Sequence, residues 1–246
     1  MRLSPHFRRG AWHRDALEKR RTAVASPVSP LPAVVCASPF RHGAWHRVAL
    51  EAMAIQKLTF PTNEEEIRKL RAGDEVLVDG HIIGIRDRTH IRIFDQGVAP
   101  PMDLGGAFLL HTAPGVKKVG PGKYEKVCIG TTTSARMVRF TDGLGAQYGV
   151  RAICGKGGLP DEAIEPMRKH GMVYFAIVGG AAALETTQIE EIEEVAWEEL
   201  MPECLWKFRV KDFGPLIVGI DSHGNSLFHD VQERAKQKLE EIYARL

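Results

Sequence analysis

Short apolar runs, each cut off by glycine or by a hydroxyl-rich loop, follow one another from Glu75 onward, and this rhythm restricts the chain to a layered fold rich in short strands. "EVLVDG" and "HIIGIR" read as two strands joined at Asp79-Gly80, a hairpin signal. "AFLLHTAP" and "KVCIG" read as buried strands, and "SARMVRF" can begin a helix after the second. "GVRAICGKGG" is a strand running into a glycine loop. "PDEAIEPMRKHG" is a helix with early acids, late bases and a closing Gly171. "MVYFAIVGGAAAL" is a buried strand ending in a second glycine turn. "QIEEIEEVAWEEL", "LWKFRVKDFG" and "PLIVGIDSHGNSLF" suggest further strands, the last turning at His223-Gly224-Asn225, before an amphipathic helix in "VQERAKQKLEEIYARL". Upstream, Thr62 with Glu65 three residues later makes a capping box for a short helix. Mixed strands and helices with hairpins predict a layered α/β (α+β mixed) fold, not a plain βαβ winding.

The chain has 246 residues, 44% hydrophobic and 26% charged, which suits a soluble globular protein of one large or two small domains. Charges or glycines interrupt its longest apolar runs, so no membrane segment is expected. The cysteines Cys36, Cys128, Cys154 and Cys204 are far apart and share no metal-ligand spacing. A reducing, cytoplasmic location is expected, and no metal cluster is expected on this chain alone.

Residues 7–18, "FRRGAWHRDALE", recur as "FRHGAWHRVALE" at residues 40–51. The offset matches the ankyrin period, but two copies are too few to stack and the T-P-L-H signature is missing. Residues 1–52 hold nine Lys/Arg against three Asp/Glu, leaving 24 against 28 in the body. The body is therefore mildly acidic, without a basic stripe interleaved with aromatics, and nucleic-acid binding is not expected of it. Two domains follow: residues 1–52, a duplicated basic extension, and residues 53–246, the folded body. The extension is either a translated upstream repeat, with Met53 the natural start, or a disordered basic tail.

Three segments share one design, a strand that ends in a polar loop carrying a cation. "GIRDRTH" offers Arg86, Asp87 and His90; "GTTTSARM" offers Thr131, Thr132, Thr133, Ser134 and Arg136; "CGKGG" offers Lys156. Each has a plain structural reading: a surface ion pair, a satisfied histidine, a helix cap. The frame of a phosphate loop is absent around Lys156, although Gly155 and Gly157 suggest close backbone approach to an anion. Together the segments fit a small dicarboxylate. Arginine forks bind carboxylates bidentately, lysine adds a point charge, and a helix starting within the threonines would aim N–H groups and hydroxyls at an anion.

"GIRDRTH", "GTTTSARM", "GKGG", "VGGAAAL" and "PECLWKFRVKDFGPLIVGIDSHGN", in that order, resemble the β subunit of the two-subunit iron–sulfur hydro-lyases, class I fumarate hydratase and L(+)-tartrate dehydratase. The resemblance covers about residues 57–230, with no counterpart for residues 1–52. It implies a swivelling β/β/α three-layer domain that closes over a 4Fe-4S cluster held by a separate α subunit, in a heterodimer or heterotetramer. The resemblance makes Arg86 and Arg136 carboxylate clamps, with Lys156 and Thr133 as further substrate contacts. Thr132 and Thr133 match the family's paired threonines, one of them considered for proton transfer. His90 resembles the proposed general acid/base, with Asp87 its orienter or charge partner. An unperturbed imidazole titrates near the working pH, which favours His90 over a threonine hydroxyl as the base. Thr131 stands where the family commonly has proline, and Ala135 where it often has glycine; neither change removes a reactive group.

The expected activity is reversible hydration of fumarate to L-malate, with dehydration of L-tartrate to oxaloacetate as the alternative on the same machinery. A non-catalytic dicarboxylate-binding module is the remaining reading. It would lack functional positions that are present here.

Overall fold

The computed structural model describes residues 55–178 and 180–245. The reading of residues 1–52 as a duplicated extension, and of Met53 as a start, lies outside the described residues.

The body is built on one mixed sheet. In chain order its strands are β1 (Gln56–Phe60), β2 (Glu75–Ile85), β3 (Phe108–His111), β6 (Ala152–Gly155), β7 (Val173–Ala176), β8 (Ile189–Ala196) and β9 (Leu205–Ile220). A two-stranded sheet of β4 (Gly115–Gly120) and β5 (Lys123–Cys128) stands apart. Helices α1 (Glu64–Ile67), α2 (Asp87–Phe94), α3 (Thr141–Tyr148), α4 (Ile164–His170) and α5 (Leu227–Tyr243) complete the fold with short 3-10 turns. β2, β3, β6 and β7 run parallel to their neighbours. β9 runs antiparallel to both β7 and β2, so the sheet closes on itself.

Closure divides the alternating side chains between two cores. Val76, Val78, Phe108, Phe175 and Trp206 point into one, enclosed by the ring of strands. Ile85, Leu109, Ile153 and Tyr174 of the same sheet join the other, with Ile93, Phe140 and Met167 of the helical layer. Sheet, sheet and helices thus form three layers, the mixed α/β arrangement expected from the strand rhythm. Strands buried on both faces read as continuous apolar runs, which is why "AFLLH" shows no alternation.

Four local readings are corrected. Asp79-Gly80 is not a hairpin; β2 continues through it with register shifts around Val78 and Gly80. Gly80 has φ +93°, and a Cβ there would lie 2.2 Å from the Phe60 carbonyl oxygen. The glycine serves a bend and a close approach of β1, not a turn. "LWKFRVKDFG" and "PLIVGI" are likewise one strand, β9. "KVC" belongs to the outlying hairpin, where Val127 and Cys128 are exposed. The cap of α1 is Asn63, whose side chain accepts from the Glu66 N–H at 3.0 Å, while Thr62 pairs with Gly106.

Two histidines lie within this interior, His90 at 0% and His111 at 1% exposure. Burial pushes the His90 imidazole down to about 4, against the opposing pull of the Arg86 carbonyl and the Asp87 charge. Burial also holds His111 well below the usual histidine range, reinforced by His90 and Arg136 and opposed by Asp87. A folded pKa below the unfolded value gives stability that is complete above the unfolded pKa and lost as pH falls toward the folded one. His90 alone should cost about 2 kcal/mol of unfolding free energy between pH 7 and pH 5. Urea unfolding at both pH values checks this, and His90→Gln should flatten the dependence. Gly80→Ala should cost about 2 kcal/mol or more at any pH, because both the positive φ and the Phe60 contact oppose a side chain.

Candidate active site

Parallel strands deliver their C-terminal ends to one edge, where open α/β sheets place their ligands. β2 ends at Ile85 and is followed by Arg86; β6 ends at Gly155 and is followed by Lys156. Between the ends of β3 and β6 hangs the threonine stretch, held as a strap by its own backbone. The Thr132 N–H donates to the His111 carbonyl at 2.8 Å, the Lys156 N–H to the Thr132 carbonyl at 3.1 Å, and the Ser134 N–H to the Lys156 carbonyl at 3.0 Å. Thr133 and Lys156 form an isolated parallel bridge. The strap therefore extends the sheet by a fragment of strand before the 3-10 turn Ala135–Phe140 begins.

This differs from the expected anion-binding helix start. The N–H groups of Thr132 and Ser134 are already paired, and Ser134 makes no side-chain cap bond. Its Oγ, fully buried, instead lies 2.9 Å from His111 Nδ1 and accepts from the Tyr174 hydroxyl at 3.1 Å. Gly155 has a related explanation. A Cβ at that position would stand 2.0 Å from Ser134 Oγ, so the close approach it permits is to the strap itself.

Arg86 caps α2 with extended backbone, φ −152°, and Asp87 is the first helical residue. Asp87 is the hub of the charged groups. Arg136 grips it through Nε, at 2.8 Å and 3.0 Å from the two carboxylate oxygens, and through Nη2 at 2.8 Å. Arg86 Nε donates to it at 3.4 Å and stands 3.6 Å from Glu203. Partial burial raises the Asp87 pKa, but the Arg136 hydrogen bonds and charge outweigh it, and the carboxyl stays below its ordinary range. Arg136 Nη2 also donates to Thr132 Oγ1 at 3.1 Å, leaving that hydroxyl's proton to point elsewhere. Among the described residues no carboxylate lies within ion-pair distance of the Lys156 ammonium.

Arg86, Gly130, Thr131, Thr132 and Cys128 line an open groove of about 370 Å³. A smaller hollow of about 210 Å³, lined by Pro61, His81, Asp103 and Lys207, shares no residue with it and gathers no comparable set of cations. The structure thus brings Arg86, Asp87, Thr132, Thr133, Arg136 and Lys156 to one edge. His90 lies beneath them. Its Nδ1 and its backbone N–H both reach the Arg86 carbonyl, at 2.9 Å and 3.0 Å, and its ring stacks on Phe140 at 4.9 Å. Its hydrogen-bond partner is that carbonyl and not Asp87. Sequence reasoning missed His111, Tyr174 and Glu203. The available signals were a polar residue closing the apolar run "FLLH" and an acid inside the quoted "PECLWKF".

No three Cys, His, Asp or Glu side chains converge as metal ligands among the described residues, and Cys154 and Cys204 are buried. The edge offers guanidinium, ammonium and hydroxyl groups, a donor set for a small anion rather than for iron.

Known proteins share this arrangement of sequence. The chain is 42% identical over 190 residues to the L(+)-tartrate dehydratase subunit beta of Escherichia coli K12, covering 75% of this chain and 94% of that protein. It is 37% identical over 184 residues to a putative L(+)-tartrate dehydratase subunit beta of Methanocaldococcus jannaschii, covering 73% and 94%. It is 37% identical over 186 residues to a putative fumarate hydratase class I of Geobacillus stearothermophilus, covering 75% of this chain and 36% of that protein. Each name is that of a hydratase or dehydratase. Residues 39–231 match the Fumarase C-terminus family, a span that takes in the second copy of the N-terminal repeat. Every residue at the cation-lined edge falls inside that match, and the chain belongs to the Fumarase C-terminus family.

Proposed function

We propose that this chain is the β-type subunit of a two-subunit hydro-lyase for a small hydroxy-dicarboxylate, with L(+)-tartrate ahead of fumarate and L-malate as substrate. The observation that carries the reaction class is the gathering of Arg86, Arg136 and Lys156 with the hydroxyls of Thr132 and Thr133 at one edge. The order of substrates reverses the sequence-based preference for fumarate. It rests on the greater identity to the tartrate dehydratase subunit, which this chain matches over nearly its whole length.

The two clamps would hold the two ends of the substrate. Asp87 occupies Nε and Nη2 of Arg136 and leaves Nη1 for a substrate carboxylate. Arg86, gripped only at Nε, retains its terminal N–H groups for the other carboxylate. Thr132 is the proton-handling group we assign. Its oxygen accepts from a guanidinium, which stabilises a developing alkoxide and directs its proton toward the groove. His90, wholly enclosed, is assigned to holding the Arg86 turn and not to acid–base chemistry. The resemblance puts a 4Fe-4S cluster on the α subunit, where it would supply Lewis-acid activation of the substrate hydroxyl.

Anaerobic turnover of the chain co-expressed with its α partner, reconstituted with iron and sulfide, should be faster on L-tartrate than on fumarate or L-malate. Equal or faster turnover of fumarate would restore the original preference. Arg136→Ala should lower kcat/KM by about 3 kcal/mol in transition-state stabilisation, and Arg136→Lys should recover only part of it. Unchanged kcat/KM in both would remove Arg136 from the site.

A further inference from the structure

The two buried imidazoles share an unusual condition. Nε2 of His90 and Nε2 of His111 are both buried without a hydrogen-bond partner among the described residues. Their rings are neighbours, centroids 5.5 Å apart and edge to face at 77°. The partners of the opposite ring nitrogens fix which of these atoms carries hydrogen.

At His90 the assignment is direct. Nδ1 lies 2.9 Å from a carbonyl oxygen, which can only accept, so Nδ1 bears the proton and Nε2 is an acceptor. At His111 it follows from the chain behind it. The Tyr174 hydroxyl donates to Ser134 Oγ at 3.1 Å. The proton of Ser134 is then free for His111 Nδ1 at 2.9 Å. With Nδ1 accepting, a neutral His111 carries its proton on Nε2. One ring presents an unpaired donor and the other an unpaired acceptor.

We infer that Tyr174 and Ser134 on one side and the Arg86 carbonyl on the other hold His111 and His90 as neutral rings of opposite tautomer, one directional chain on each side of their edge-to-face contact under the groove. The arrangement ties the threonine strap, through Ser134, to the Arg86 turn. His111 is a positioning residue in it, touching no substrate. Each member donates forward once, so the run is satisfied only if both histidines stay neutral and adopt opposite tautomers. Burial favours that state, and the nearby charges are balanced: Asp87 opposes Arg136 at His111 and opposes Arg139 at His90.

This inference rests on the proposed reaction only for its kinetic consequence, and the test separates the two. Long-range proton–nitrogen spectra of the full chain labelled with nitrogen-15 histidine, assigned with His90→Asn and His111→Asn, should show two non-titrating neutral rings between pH 6 and pH 8, His90 protonated at Nδ1 and His111 at Nε2. Tyr174→Phe removes one oxygen and Ser134→Ala another. Each should disturb the His111 tautomer, and in the reconstituted complex each should raise KM by about tenfold to a hundredfold while lowering kcat less, because loosened clamps weaken carboxylate binding. Like tautomers, titration of either ring in that range, or variants that leave both tautomer and KM unchanged would overturn the chain. If the wild-type complex turns over no dicarboxylate, the proposed function fails while the spectra still decide the tautomers.

Discussion

Strand β9 holds the structure closed. It pairs with β2 from Trp206 to Ile217 along one side, while its first residues pair with β8 and its last with β7 along the other, so a single strand of 16 residues ties β2 to β7 and closes the parallel run. An open sheet of these short strands would bury one face at most. Closure gives each strand an inner and an outer apolar neighbour, and it fixes the C-terminal ends of β2, β3, β6 and β7 at one rim. Everything at the candidate site inherits its position from that rim.

The strap between β3 and β6 shows how little further structure is needed. Three backbone hydrogen bonds attach it to His111 and Lys156, which sets Thr132 and Thr133 and delivers Arg136 one turn later. Charge then organises itself around Asp87. Buried side chains beneath the strap, Ser134, His111 and Tyr174, have no route to solvent and hold its underside. Polar networks in such a setting specify geometry because an unpaired member is costly there.

Much of this was legible in the residues. The apolar runs located the strands, Gly171 closed α4 as its sequence implies, and the three cation-bearing loops that converge were the three that stood out. Misreadings have a common cause. Glycine in "VDGH" and "KDFGPL" looks like a turn locally, yet each sits in a strand that bends to close the ring, a demand set by residues far away in sequence. His90 and His111 illustrate the same limit. A histidine's use depends on which neighbours the fold supplies, and burial turned an expected acid–base group into an interior one. Gly155 was read as an opening for an anion, whereas its missing Cβ makes room for Ser134.

Asp87 has a consequence for how a ligand would arrive. At the edge two arginines face two acids, Asp87 and Glu203, so their charges already cancel. An incoming dianion meets no naked pair of cations; it takes the guanidinium N–H groups that Asp87 and Glu203 leave open. The Lys156 ammonium, with no carboxylate at ion-pair distance among the described residues, remains to draw it in from a distance. Capture at such an edge adds an anion to arginines already neutralised by their own carboxylates, so long-range attraction contributes little and the fit of two carboxylates at a fixed spacing decides which molecules stay.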